Sequence, residues 1–178
     1  MGYTHYFTQT QTVDIPLWQN FGQHLTLLYR HYQANPISAK QICSGYLDEV
    51  IVLCDGGGEL TLTPETLFLD EDTLCFNGEA SRELDHETFV IHRQIPDGHG
   101  RSDTGYWDFC KTAYKPYDVF VTAALLLLHN LCAGCFSVSS DGDAHEWQPV
   151  LDYVRAVFPQ LRLSLPDGIA AVGVDTGL

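Results

Sequence analysis

The stretch VFVTAALLLL, residues 119–128, decides the fold because nine of its ten residues are apolar. Pro116 and Asp118 come just before it, and both residue types favour the first turn of a helix. A helix that is apolar on every side is buried, and ten residues are too few to cross a bilayer. The stretch therefore predicts a central core helix, with Gly134 as a suitable C-cap.

Periodic segments on both sides of this helix predict further helices and strands. Apolar residues at three- to four-residue spacing predict an amphipathic helix over residues 15–33. Asp143 and Glu146 have the spacing of a capping box for a last helix through residue 158. Alternation and short apolar runs predict strands at residues 3–10, 50–54, 60–69, 73–76, 88–92 and 135–138. Residues 96–104 have the composition of an exposed loop, and residues 139–142 that of a turn.

Together these elements indicate an α+β or mixed α/β fold, with a single globular domain over residues 1–178. We expect a central β-sheet with a buried core helix and flanking helices. The weakly patterned stretch from about residue 160 to residue 178 is a candidate for a loose C-terminal tail.

The formal net charge of −14 comes from a shortage of cations and not from a surplus of acids. The chain has 23 acidic residues among 178, close to the ordinary share, but 9 basic residues, well below it. Binding to a nucleic-acid polymer or to an anionic membrane surface needs many cations, so we expect neither partner. The composition is compatible with small ligands and leaves a homo-oligomer open.

The start of the chain and its cysteines bear on its location. Residues 1–10 have no basic start and no apolar run, so we expect no signal peptide and a cytoplasmic protein. The six cysteines are then expected to be reduced and mostly buried. Cys132 and Cys135 form a Cys-x-x-Cys pair without a second pair at matching spacing, so we predict no metal site and no cofactor.

Four motifs lie along the chain: GYTHYF at residues 2–7, HETF at 86–89, FCKTAYKPYD at 109–118 and SSDGD at 139–143. As a set they resemble a family of small uncharacterised phage and prophage proteins, and the likeness extends to about residue 158. The resemblance implies the host cytosol as the location, but no activity. It also implies a set of functional residues. They are Tyr3, His5, Tyr6, His86, Glu87, Phe89, Lys111, Thr112, Lys115, Tyr117, Asp118, Ser140 and Asp141.

Five of the nine cations fall between residues 82 and 115: Arg82, Arg93, Arg101, Lys111 and Lys115. This concentration predicts a local positive site for a phosphate or carboxylate, with Arg93 among its ligand-binding residues. Lys111 and Lys115 also precede the core helix, whose N-terminus favours anions. The alternative is that the cations neutralise nearby acids such as Asp85 and Asp97.

Tyrosines and a hydroxyl-rich turn complete the predicted ligand site. The tyrosines offer flat faces for a base or a sugar, or else line the rim of the core. They are Tyr3, Tyr6, Tyr114 and Tyr117. Ser139, Ser140 and Asp141 could hold ribose hydroxyls, or else form only a turn and a helix cap.

His86 and Cys110 are the candidates for catalysis. His86 beside Glu87 could act as a general acid or base, although adjacent strand residues face opposite sides of a sheet. Cys110 beside Lys111 could be a thiolate nucleophile or a buried thiol.

These observations leave several functions open. The favoured one is a phage-type small-ligand-binding protein for an anionic molecule such as a nucleotide, sequestering a nucleotide-derived host defence signal. A nucleotide- or phosphoester-processing enzyme would instead use His86, Lys111 and Asp141. An acidic inhibitor of a host protein and a purely structural module are the further alternatives.

Overall fold

The computed structural model describes residues 2–169, and in this range the α-helices are α1 (Ile15–Ala34), α2 (Ala39–Ile42), α3 (Asp118–Leu131) and α4 (Ala144–Val157). The predicted core helix is α3, and every side chain of residues 119–128 is buried. The amphipathic helix α1 buries one face, and both α1 and α4 pack against α3. Within residues 2–169, no helix is long and apolar enough to span a membrane.

The strands are β1 (Thr4–Gln9), β2 (Phe68–Asp70), β3 (Thr73–Phe76), β4 (Phe89–His92), β5 (Arg101–Ser102), β6 (Gly105–Lys111) and β7 (Phe136–Ser140). Within residues 2–169 they form two antiparallel sheets and not a single central one. The first sheet has the order β5-β6-β1-β7, and the second has the order β2-β3-β4. The fold is therefore the predicted mixed α+β single domain, with its strands in two sheets instead of one central sheet.

Strand β1 lies in the middle of the first sheet, between β6 and β7. His5 is directly opposite Ser140, and Tyr6 is opposite both Phe109 and Ser139. Successive side chains of a strand point to opposite faces, so His5 and Ser140 face the helices while the other three face outward. The burial pattern agrees, because His5 is buried whereas Phe109 and Ser139 are exposed.

The prediction of local structure was wrong at several strands. Within the described residues, positions 50–54 make isolated bridges at Val50 and Cys54 instead of a strand. Most of residues 60–69 is also irregular, with a 3-10 helix at Pro64–Thr66, because proline lacks the N–H that a strand interior uses. Conversely, β6 was not predicted, although its alternating burial is that of a half-exposed strand.

Residues 160–169, expected to belong to a loose tail, are packed against the domain. Leu163 and Ile169 are buried, and Nη2 of Arg155 donates to the Leu163 carbonyl at 2.6 Å. Gly168 forms a parallel bridge with Ser139 on the free edge of β7. The rest of the expected tail, residues 170–178, lies outside the described residues.

Candidate functional site

The four motifs meet at one end of the first sheet. The backbone N–H of Thr4 donates to Oδ2 of Asp141 at 3.0 Å, which joins the first motif to the last. The backbone N–H of Lys111 donates to Oε2 of Glu87 at 2.6 Å, which joins the two middle motifs. Because β1 pairs with both β6 and β7, the sheet holds all of these contacts in one region.

A buried polar network centred on Asp118 lies beneath this end of the sheet. His5 Nε2 and Asp118 Oδ1 are 2.6 Å apart, and Thr112 Oγ1 donates to the same oxygen at 2.5 Å. The Tyr46 hydroxyl donates to Oδ2, and Thr122 Oγ1 donates to it at 3.3 Å. All five residues are buried. The network therefore ties β1, the loop containing Tyr46 and the first turn of α3 to one carboxylate.

Asp118 is held in its ionised form. Burial by itself would raise the pKa of Asp118, but the imidazole of His5 and the hydrogen bonds from His5, Thr112 and Tyr46 outweigh it. The pKa therefore lies below its ordinary value. Because an ionised carboxylate can only accept, Nε2 of His5 carries the hydrogen of this contact.

Ser140, His5 and Asp118 form a chain of hydroxyl, imidazole and carboxylate, the order of groups that activates a serine nucleophile. His5 Nδ1 lies 2.8 Å from Ser140 Oγ. That hydroxyl also accepts from the Gly142 N–H at 2.9 Å and lies beside the hydroxyl of buried Tyr3. The oxygen of Ser140 is thus surrounded by His5, Gly142 and Tyr3, which already make hydrogen bonds with it. This enclosure favours a structural role over nucleophilic catalysis.

An exposed aromatic surface occupies the opposite face of the same sheet. We call Tyr6, Trp107 and Phe109 the aromatic face. The Tyr6 and Trp107 rings are nearly parallel, with centroids 6.3 Å apart and planes at 19°, and Phe109 lies 5.3 Å from Trp107. Trp107 is 48% exposed and Phe109 is 42% exposed. The Tyr6 hydroxyl donates to Asp141 Oδ1 at 3.2 Å. Asp141 belongs to the SSDGD motif and also accepts from Thr4 of β1, so this motif holds both the strand and the aromatic face in place.

A cleft of about 430 Å³ adjoins the aromatic face. Tyr6 and Trp107 line one side of it, and Ser137 and Ser139 line its floor on β7. The segment at positions 166–168 closes the far side, where Asp167 stands. The cleft therefore combines aromatic rings, hydroxyl groups and a carboxylate.

The predicted cluster of cations is divided, because Arg93 lies apart from the motifs. Arg93 pairs with Asp72, Nε to Oδ1 at 2.6 Å, at the end of β4 remote from Glu87. Arg82 pairs with Glu49 at 2.5 Å, and the Lys115 ammonium donates to a backbone carbonyl at 2.7 Å. Arg82 and Arg93 are thus neutralised, as the alternative expects, but by Glu49 and Asp72 and not by the acids named from the sequence.

The sequence predicts an anion site at the N-terminus of α3, but the structure does not favour an anion there. Asp118 stands in its first turn, so a carboxylate already occupies this position. The Lys111 side chain runs beside Gly2, where an added Cβ would lie 2.9 Å from its Cε. An anionic ligand at this helix end would face the charge of Asp118.

The two catalytic candidates, Cys110 and His86, make contacts that support the fold. Cys110 is buried and donates to the Glu87 carbonyl, Sγ to O at 3.4 Å. Burial, and then the charge of Asp118, raises the pKa of Cys110, which opposes the predicted thiolate. His86 is held through its backbone by Asn77, with its N–H 3.2 Å from Asn77 Oδ1.

The remaining predicted residues support the fold. The Tyr117 hydroxyl donates to the Glu87 carbonyl at 2.6 Å, and Phe89 belongs to the hydrophobic core. Tyr114 stacks on Tyr3, with centroids 3.9 Å apart. Within residues 2–169, no group of three or more His, Cys, Asp or Glu side chains is placed to hold a metal ion.

Several residues of the site were missed by the sequence analysis. Trp107 and Phe109 could have been found from the alternation in GYWDFCK, residues 105–111, which is typical of a strand. Tyr46 lies outside any periodic segment, so no local signal connects it to Asp118. Comparison with protein-family models, curated proteins and solved structures gives no match.

Proposed function

We propose that this protein binds a small molecule containing a flat ring, and that the aromatic face is its binding surface. The observation that carries the proposal is the exposure of Trp107 and Phe109 beside Tyr6, at the edge of a 430 Å³ cleft. Exposed large apolar side chains that are grouped together mark binding surfaces more often than single ones do. The cleft is also within the usual range of small-ligand sites.

The aromatic face is suited to binding because it is held in place. Tyr6 is on a strand paired on both sides, and its hydroxyl is fixed by Asp141, whose second carboxylate oxygen accepts from Thr4. A rigid site loses little conformational entropy when a ligand binds. Stacking of a base on an aromatic side chain contributes about 1–3 kcal/mol.

Under this proposal the ligand is bound and released unchanged. The enzyme hypothesis needs His86, Lys111 and Asp141 in one site, but no hydrogen bond or salt bridge among the described residues links their side chains. A role in sequestering a host signal is part of the proposal, and the resemblance of the motifs to phage proteins is compatible with it.

Quenching of tryptophan fluorescence by acrylamide tests the proposal, since Trp107 is exposed whereas Trp18 and Trp147 are buried. The probes are a panel of nucleosides, nucleotides and methyl glycosides. A bound ring should shield Trp107 and lower the quenching constant. The ligand recovered after denaturation should have an unchanged mass.

Substitution then locates the site. Trp107→Ala should weaken binding in equilibrium dialysis by about 5- to 150-fold, the equivalent of one lost stacking contact. Leu69→Ala is the matched control, because it removes an exposed apolar side chain from the second sheet. Unchanged affinity in Trp107→Ala, or quenching that no probe lowers, would contradict the proposal, and a cleaved product would favour the enzyme.

A further inference from the structure

The charged groups at the cleft are mainly acidic. Asp167 lines it, and Asp141 stands beside it on Tyr6. The described lining residues include no Lys or Arg, and the basic group among them is His129. The net charge of −14 adds a field of the same sign. A phosphate group in the cleft would therefore meet like charge without a lysine or arginine to offset it.

Lys111 does not supply the positive charge that the described lining of the cleft lacks. It lies four residues along β6 from Trp107, a distance of about 13 Å at the rise of a strand. Its side chain also runs beside Gly2, at the end of the sheet where the motifs meet. A ligand stacked on Trp107 and seated in the cleft extends away from Lys111, toward β7.

The polar groups of the cleft are spaced to bind hydroxyls beside a stacked ring. Trp107 is on β6 and the two serines are on β7, so β1 separates them and they are about 10 Å apart. Ser137 and Ser139 are exposed on the outward face and can both donate and accept. Asp167 is also exposed, and a carboxylate is the group that binds ribose hydroxyls in dinucleotide sites.

We propose that the cleft binds an uncharged nucleoside, with its base on Trp107 and Tyr6 and its ribose hydroxyls on Asp167 and the β7 serines. This inference rests on the proposed function, because it takes the aromatic face as the binding surface. It replaces the anionic ligand predicted from the cation count with a neutral one of the same chemical family.

The test compares ribonucleosides with their 2′-deoxy forms, their triphosphates and methyl glycosides, with shielding of Trp107 as the readout. The ribonucleoside should bind at least tenfold more tightly than its triphosphate and more tightly than its deoxy form. Added salt should leave nucleoside affinity unchanged but improve triphosphate affinity, since salt screens the repulsion.

Asp167→Asn sharpens the test. This variant should lower the affinity for the ribonucleoside and reduce its advantage over the triphosphate, while Asp48→Asn, a control at another exposed carboxylate, should change neither. Tighter binding of triphosphates would overturn the nucleoside inference and leave flat-ring binding intact, whereas tighter binding of glycosides, which have no flat ring, would overturn both. A panel in which no compound shields Trp107 would overturn the proposed function itself.

Discussion

Nε2 of His5 and Oδ1 of Asp118 lie 2.6 Å apart, and both side chains are fully buried. The two residues are 113 positions apart in the chain, one on β1 and the other in the first turn of α3. Ser140 on β7 contacts the second ring nitrogen of His5. This pair therefore connects three of the motifs inside the protein.

Removing the carboxylate should destabilise the fold strongly. Asp118→Ala leaves His5, Thr112 and Tyr46 without their shared acceptor, and each buried donor left without a partner costs about 1–3 kcal/mol. Urea unfolding followed by circular dichroism measures this loss. Asp48→Ala, at an exposed carboxylate, is the control and should change the unfolding free energy by less than about 0.5 kcal/mol. Equal stability of the two variants would show that the network does not support the fold.

The same carboxylate should make stability depend on acid pH. The pKa of Asp118 is lower in the folded protein than its ordinary value of 3.8. The unfolded chain therefore takes up the proton first, so the contribution of Asp118 is present above pH 3.8 and is lost as the pH falls toward the folded pKa. Urea midpoints measured between about pH 2 and 5 should fall less steeply for Asp118→Asn than for the wild type. Parallel curves would be the contrary result.

Ser140 should not react as a nucleophile. Its hydroxyl is enclosed by His5, Gly142 and Tyr3, so a fluorophosphonate probe should leave the native protein at its original mass. Ser139→Ala and Ser140→Ala separate the two neighbouring serines, since one faces outward and the other inward. An adduct that forms on the wild type and on Ser139→Ala but not on Ser140→Ala would establish a reactive serine.

Gly142 should tolerate no side chain. A Cβ there would lie 2.2 Å from the Tyr3 hydroxyl and 2.9 Å from its ring. Gly142→Ala should therefore destabilise the protein by about 1–3 kcal/mol, the usual cost of overpacking. Gly45→Ala is the matched control, because a Cβ at Gly45 meets nothing within 4 Å. Thermal unfolding of both variants compares them, and a Gly142→Ala protein as stable as Gly45→Ala would contradict the close packing around Tyr3.

One cysteine should react faster than the others. Cys43 is partly exposed, whereas the remaining cysteines are buried, and burial raises the pKa of Cys132 to about 12. A disulfide reagent such as DTNB should modify one thiol rapidly in the native protein and the rest only after unfolding. Cys43→Ser should remove the rapid phase, and Cys75→Ser should keep it. Rapid modification of Cys132 or Cys135 would instead indicate an accessible Cys-x-x-Cys pair.

The elements with strong periodicity were predictable from the sequence. Helices α1, α3 and α4 agree with their apolar patterns, and α4 has the predicted capping box of Asp143 and Glu146. The predicted C-cap of α3 was wrong, because the helix is capped at Cys132 and not at Gly134. The alternation of β1 places His5 and Tyr6 on opposite faces, and the structure has His5 buried and Tyr6 partly exposed. Strand β6 has the same alternation of burial but was not predicted, although its sequence GYWDFCK carries that pattern. The region between residues 50 and 69 was overestimated as strand, because apolar content alone does not provide a pairing partner.

The sequence by itself determined the buried helix, the faces of β1 and the shortage of cations, since these depend on residue type and local spacing. The tertiary structure alone decided that His5, Asp118 and Ser140 meet, because strand pairing brings together residues more than a hundred positions apart. The tertiary structure also decided which acids pair with the cations. Arg93 is bound to Asp72, and Arg82 is bound to Glu49 as well as to its sequence neighbour Glu79, since folding brings distant acids as close as local ones.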